Sequence, residues 1–280
     1  MNFLTMRVAF QGEPGAFSEA AAVQLLGETI HTVPRPTFES TFRALADRAA
    51  DALLVPVENT LAGSVARVYD LLNLSPLEIC RETILRIEHH LLACPGARFE
   101  ELRAVASHPM ALAQCERFFE SRPDLERVPA EDTAGSVREM MSRGDPSRAA
   151  IAGRPAAARY GAVILREGIQ DNAENFTRFV LLLPPEEARR FRTPDARKMS
   201  LALRLAHKPG ALLAFLEPFA RHGVNLLKIE SRPIHGKPFE YQFYVDVEGE
   251  RAEQLEQALG EARPATSALR MLGLYSAAER

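Results

Sequence analysis

The sequence has no tryptophan, three cysteines and no long run of one charge. The cysteine count and the charge each rule something out. Cys80, Cys94 and Cys115 are odd in number and form no CxxC pair. A disulfide framework and a zinc signature are therefore not expected, and the chain suits a reducing compartment. The formal net charge is -3 with no long basic run, which argues against a dedicated nucleic-acid binder. No apolar run approaches the ~20 residues that cross a bilayer, so no membrane partner is expected. The opening MNFLTMRVAF lacks a basic segment followed by a long apolar one, so no signal peptide is visible. Met6 is a candidate start, because the first strand begins there. These features make a cytoplasmic protein the expectation.

What is present is an ordinary globular mix, 46% apolar and 25% charged, over 280 residues, enough for two domains. Short apolar strands alternate with amphipathic helices through the first two thirds. Strands are expected at MRVAF (6–10), ETIHTV and DALLVPV (51–57), with helices at AFSEAAAVQLLG (16–27), TFESTFRALADRA and SVARVYDLLNL. Thr37 is the expected cap of the second helix. DALLVPV shows no alternation, as when both faces of a strand are covered. The β-rich stretch 77–94 leads to a second α/β series: RAVAS, helix PMALAQCERFFES, LERVPA, helix TAGSVREMMSR, RAAIA, helix RPAAARYG, then AVILREGI and NFTRFVLLL. Two α/β lobes with a cleft are the expectation for 6–183. In open α/β sheets that cleft lies beyond the carboxyl ends of the strands. A charged, proline-bearing stretch reads as a linker over 184–197. A compact βαββαβ pattern fills 198–276, with FEYQFYVDVEG as one of its strands. Within its first helix Pro218 removes one backbone bond and should kink it.

Four stretches carry chemistry. FQGEPGAFSEAA (10–21) joins a strand to a helix, where Gly12 and Gly15 admit a ligand to the helix N-terminus. It lacks the GxGxxG spacing, so a dinucleotide site is not expected. VPVENTLAGSV (55–65) puts Glu58 and Asn59 at a strand tip, with Ser64 read chiefly as a helix cap. ASHPMALAQC (106–115) ends a strand at Ser107 and His108, and Gln114 falls off the apolar face of the helix that follows. No Ser/His/Asp arrangement is readable there. His89 and His90 are adjacent on a probable strand and point to opposite faces, so they do not form a metal pair. In NFTRFVLLL (175–183), Thr177 and Arg178 stand at the mouth of a buried strand that gains nothing from them.

GEPGAFSEAA, VPVENTLAGSV, SHPMALAQC, AAIAGRPAAARYG and NFTRFVLL, in this order, resemble the prephenate dehydratases. HKPGALLAFLEPFARHGVNLLKIESRP resembles their C-terminal ACT regulatory domain, and the likeness runs from about residue 6 to 275. It implies a two-lobed catalytic domain like a periplasmic binding protein, followed by a ferredoxin-like ACT domain. The implied reaction is the decarboxylative dehydration of prephenate to phenylpyruvate on the route to L-phenylalanine. The family's catalytic residues match Thr177, Arg178, Glu58, Asn59, Ser107 and Gln114, with Phe179, Ser64 and Thr133 as candidate substrate contacts. Effector L-phenylalanine would meet Gly210, Ala211, Leu212 and Leu213, with Asn225, Leu226, Glu230, Ser231, Arg232 and Pro233. Such enzymes are usually dimers or tetramers. Two positions depart from the common pattern: Met110 where many members have glutamine, and Leu227 where many have threonine.

Prephenate carries two carboxylates, and an arginine fork holds a carboxylate well. Aromatisation drives the reaction, so no redox cofactor is required. The barrier lies in the leaving ring hydroxyl, which needs a donor. Thr177 is favoured for that, with Glu58 as the competing acid if it is buried, and Asn59, Ser107 and Gln114 as positioning groups. Arogenate dehydratase is the rival within enzymes. A two-lobed sensor with an ACT domain is the rival outside them, though a sensor needs no proton donor.

Overall fold

The computed structural model describes residues 6–234, 236 and 240–278. The chain divides into two compact units, Met1–Val68 with Thr83–Phe179 and Tyr69–Glu82 with Val180–Arg280. Among the described residues no helix is long and apolar enough to cross a membrane.

The first unit has two lobes, each built on a sheet. In one, β1 (Arg7–Gln11) pairs in parallel with β2 (His31–Arg35) and β3 (Ala52–Asn59), and β4 (Gly63–Ser64) folds back antiparallel on the β3 tip. The first four residues of β3 are fully buried, which is why its sequence does not alternate. Helices α1 (Phe17–Leu26) and α2 (Phe38–Ala46) follow β1 and β2. Thr37 caps α2 as expected, in a reciprocal box with Ser40. Helix α3 (Ala66–Leu74) follows β4, and β5 (Glu78–Arg86) comes next; the chain changes unit within each of them.

The second lobe holds β6 (His90–Ala93), β7 (Ala104–Ser107), β8 (Glu126–Pro129), β9 (Arg148–Ala152) and β10 (Val163–Arg166), in the order β10-β6-β9-β7-β8. Its helices are α4 (Pro109–Ala113), α5 (Glu116–Ser121), α6 (Thr133–Arg143) and α7 (Arg154–Tyr160). The single helix expected over 109–121 is thus two. The break has a cause outside the segment. Asp171 accepts from the N–H groups of Glu116 and Arg117 at 2.9 and 3.0 Å, and its own N–H donates to the Gln114 carbonyl at 2.8 Å. A cap supplied by a distant aspartate starts α5 afresh and turns Gln114 out at the corner. Strand β11 (Phe176–Leu183) then leaves the unit.

The second unit contains α8 (Pro185–Arg190), in the stretch read as a linker, and β12 (Lys198–Leu205), α9 (Ala211–Arg221), β13 (Asn225–Pro233), β14 (Tyr241–Glu248), α10 (Ala252–Ala262) and β15 (Thr266–Tyr275). This is the expected βαββαβ order. Phe239, the first residue of FEYQFYVDVEG, lies outside the described residues. Helix α9 runs on through Pro218. The antiparallel order is β13-β14-β12-β15, and β15 also meets β5 in parallel through Gly273 and Ile79. A Cβ on Gly273 would stand 2.2 Å from the Ile79 carbonyl oxygen, so only glycine fits. Met199, Leu201, Phe215, Phe219, Val245 and Leu255 form the core between sheet and helices.

Residues 69–82 are tied to this unit by specific bonds. Lys198 donates to both Glu82 oxygens at 2.8 and 2.9 Å, with both side chains buried. Arg270 donates to the carbonyls of Leu72, Asn73 and Leu77, and Arg232 pairs with Asp70 at 2.9 Å.

Candidate active site

A cavity of about 540 Å³ opens in the first unit, with residues of both lobes on its wall. That volume suits a small organic ligand. Thr177, Asn59, Gln114, His89, Phe179 and Thr133 line it, together with the turn and first residues of α1 at Gly12 and Phe17. Thr133 is the first residue of α6, behind its N-cap Asp132.

The polar groups form one directed chain. The backbone N–H groups of Leu61 and Ala62 donate to Asn59 Oδ1 at 3.0 and 2.8 Å. This turns Asn59 Nδ2 the other way, where it donates to Asn175 Oδ1 at 2.7 Å and to Thr177 Oγ1 at 2.9 Å. Asn175 Nδ2 donates in turn to Gln114 Oε1 at 3.0 Å. Because Thr177 Oγ1 accepts from Asn59, its own proton is left to donate elsewhere. Thr177 is buried, so a bond it donates is made in a low-dielectric setting.

The strand alternation separates the TRF triplet. Thr177 and Phe179 line the cavity, whereas Arg178, between them on β11, faces Glu58 with Nη1 3.9 Å from its carboxylate. The Glu58 side chain is 40% exposed, so the burial that would make it the competing acid is absent. Ser64 belongs to β4 opposite Glu58, two positions before α3. Ser107 is fully buried and donates to the Ile151 carbonyl at 2.6 Å, a bond that fastens β7 to β9. Met110 lines the cavity and is half exposed.

Two residues of the site were missed by sequence reasoning. Asn175 stands in the NFTRF stretch but drew no role, because nothing local shows that its amide bridges Asn59 and Gln114. For His89 the sequence signals only the absence of a metal pair with His90. It is buried, with Nε2 2.9 Å from Gln114 Oε1 and its ring edge-on to Phe17. Burial, the largest influence, pushes its pKa below the ordinary value; the bond to Gln114 pulls upward and neighbouring His90 pushes down.

In the second unit a cavity of about 440 Å³ is lined by Ala211 and Leu212 with Leu205, Lys208, Tyr241 and Phe243. Gly210, the N-cap of α9, has φ +77°. Leu213 is exposed. Asn225, Leu226, Glu230, Ser231, Arg232 and Pro233 all lie on β13, away from this cavity's wall. The structure therefore brings only part of the expected effector set together within one chain.

Comparison with known proteins agrees with this architecture. Residues 8–187 match the family "prephenate dehydratase" and residues 199–263 match "ACT domain". The chain is 41% identical to an Arabidopsis thaliana protein named arogenate dehydratase/prephenate dehydratase 6, over 98% of this chain and 70% of that one. A solved prephenate dehydratase from Arthrobacter aurescens, in complex with L-Phe, is 31% identical with a TM-score of 0.85, covering 96% and 90% of the two chains. A structure described as GqqA, a quorum-quenching acylase, is 34% identical with a TM-score of 0.84, covering 97% and 98%. The chain belongs to the prephenate dehydratase family and carries a C-terminal ACT domain.

Proposed function

We propose that the cleft converts prephenate to phenylpyruvate, carbon dioxide and water. The observation that carries this is the direction of the Asn59–Thr177 hydrogen bond. As the carboxylate-bearing bond breaks, its electrons enter the ring and expel the 4-hydroxyl, which needs one proton to leave as water. Thr177 passes its proton to that oxygen and regains one from solvent water after the product forms, and Asn59 Nδ2 supports Thr177 Oγ1 as negative charge builds there. No Arg or Lys lies among the described residues that line the cavity. The substrate's carboxylates therefore fall to first-turn N–H groups of α1 and α6 other than those of Gly15 and Gly135, which the Glu19 and Asp132 carboxylates already hold. Arg178 contributes its charge from the far face of β11.

Acyl transfer, the chemistry named for one structural neighbour, would need a nucleophile hydrogen-bonded to a base. The partner of Thr177 Oγ1 is an amide donor, which removes no proton. Arogenate, with an amine in place of the keto group, is the second reading, supported by the name of the Arabidopsis relative. We assign the protein to the cytoplasm as a homodimer or homotetramer, with L-phenylalanine acting at the ACT domain. Turnover of prephenate and arogenate, each with and without L-phenylalanine, tests the whole reading. Product from either substrate upholds the dehydratase, and the ratio of kcat/KM values decides between them. No product from both, with hydrolysis of an N-acyl amide, overturns it.

A further inference from the structure

His89 has no part in the steps above, yet it is 3% exposed and borders the cavity. The polarity of its contact with Gln114 is forced from a distance. Backbone N–H groups can only donate, so Leu61 and Ala62 fix Asn59 Oδ1 as an acceptor. Asn59 Nδ2 is then a donor to Asn175 Oδ1, and Asn175 presents Nδ2 to Gln114 Oε1. That oxygen carries no proton, so His89 Nε2 must carry one to bond to it at 2.9 Å. A neutral ring protonated at Nε2 is bare at Nδ1, and Nδ1 is the buried atom without a partner among the described residues. Ionisation would place a second N–H at that partnerless position, in keeping with the depressed pKa that burial produces.

Gln114 Oε1 is thus held from two sides, by His89 of the segment entering β6 and by Asn175 ahead of β11. Its NH₂ group has no protein partner among the described residues, and Gln114 borders the cavity. We propose that His89 is a positioning residue that locks the Gln114 carboxamide so that its N–H donors serve an oxygen of the bound substrate. This rests on the dehydratase reading of the cleft. With Oε1 held by Asn175 alone, the amide loses one of its two anchors and turns more readily, offering at times its oxygen, which repels a carboxylate.

The test combines kinetics with a readout independent of activity. Turnover by the wild type is established first; its absence counts against the dehydratase reading alone, and the side-chain NMR below still judges His89. His89→Leu and Gln114→Ala should each lower kcat/KM by on the order of 10-fold, and the double variant should be no worse than Gln114→Ala. His89→Gln, which keeps an N–H where Nε2 stood, should recover most of the loss. Additive losses, or a His89→Gln enzyme as poor as His89→Leu, would overturn the proposal. Long-range ¹H–¹⁵N correlation on the wild type should show a neutral Nε2–H tautomer of His89 across the neutral range. An Nδ1–H tautomer or a charged ring would sink it whatever the variants do.

Discussion

Asn59 Nδ2 donates to Thr177 Oγ1 at 2.9 Å, across 118 residues of sequence. Two backbone N–H groups on the far side of the same amide make that direction irreversible. Replacing Asn59 by Asp keeps the shape and removes the donor. The threonine proton is then drawn to the carboxylate instead of the leaving hydroxyl. The expected outcome is a kcat lower by about 10²–10³-fold, measured by phenylpyruvate release, with a modestly lower melting temperature, because the new carboxylate oxygen also faces Asn175 Oδ1 and the Phe176 carbonyl that Asn59 Nδ2 bonds at 2.7 and 3.1 Å. Thr177→Ala should fall in the same range, and near-normal turnover in that variant would remove Thr177 from the mechanism.

Arg178 separates two roles through one substitution. A fork that binds a substrate carboxylate cannot be replaced by lysine. A charge that sits behind the strand and faces Glu58 at 3.9 Å can be. Arg178→Lys is expected to keep KM within about 3-fold of the wild type, with Arg178→Ala raising it by roughly 10-fold or more. A lysine variant as poor as the alanine one would show that the guanidinium reaches the substrate.

Acid should weaken the first unit through its adjacent histidines. Burial lowers the pKa of both His89 and His90 from the ordinary 6.5; Arg154 pushes His90 further down, and Glu88 and Glu167 pull it up. A lowered histidine pKa means the unfolded chain binds the proton first. The stabilisation is therefore complete above pH 6.5 and is lost as pH falls from there toward the folded-state values. His89→Gln should flatten part of that acid slope in a series of thermal melts. An equal slope in the variant would count against a neutral buried His89.

The effector cavity is checked by Leu212→Asp, which puts a carboxylate on its wall. If L-phenylalanine binds there, that charge repels the ligand's own carboxylate, and the heat of binding in titration calorimetry should vanish. Retained binding would move the effector to β13.

Gly273→Ala should cost stability in the second unit, because the added methyl would meet the Ile79 carbonyl oxygen at 2.2 Å. Backbone has to move, and overpacking of this kind costs ~1–3 kcal/mol, visible as a lower melting temperature.

Periodicity and punctuation alone determined most of the elements here. The unbroken apolar run of β3, the Thr37 cap and the βαββαβ order were all legible, because each depends on residues within a few positions of one another. The motifs NFTRF and ENT likewise supplied residues that line the cavity, Thr177, Phe179 and Asn59. What only the tertiary structure decided are relations between residues far apart in the chain. Asp171 splits the helix that periodicity joins. Strand alternation could have placed Arg178 on the face opposite Thr177, but only the fold shows that Glu58 waits there. Ser107, a hydroxyl at a strand end, is spent on the Ile151 carbonyl. Asn175 and His89 acquire roles through Gln114, 61 and 25 residues away, because a side-chain amide has no direction until its partners are in place.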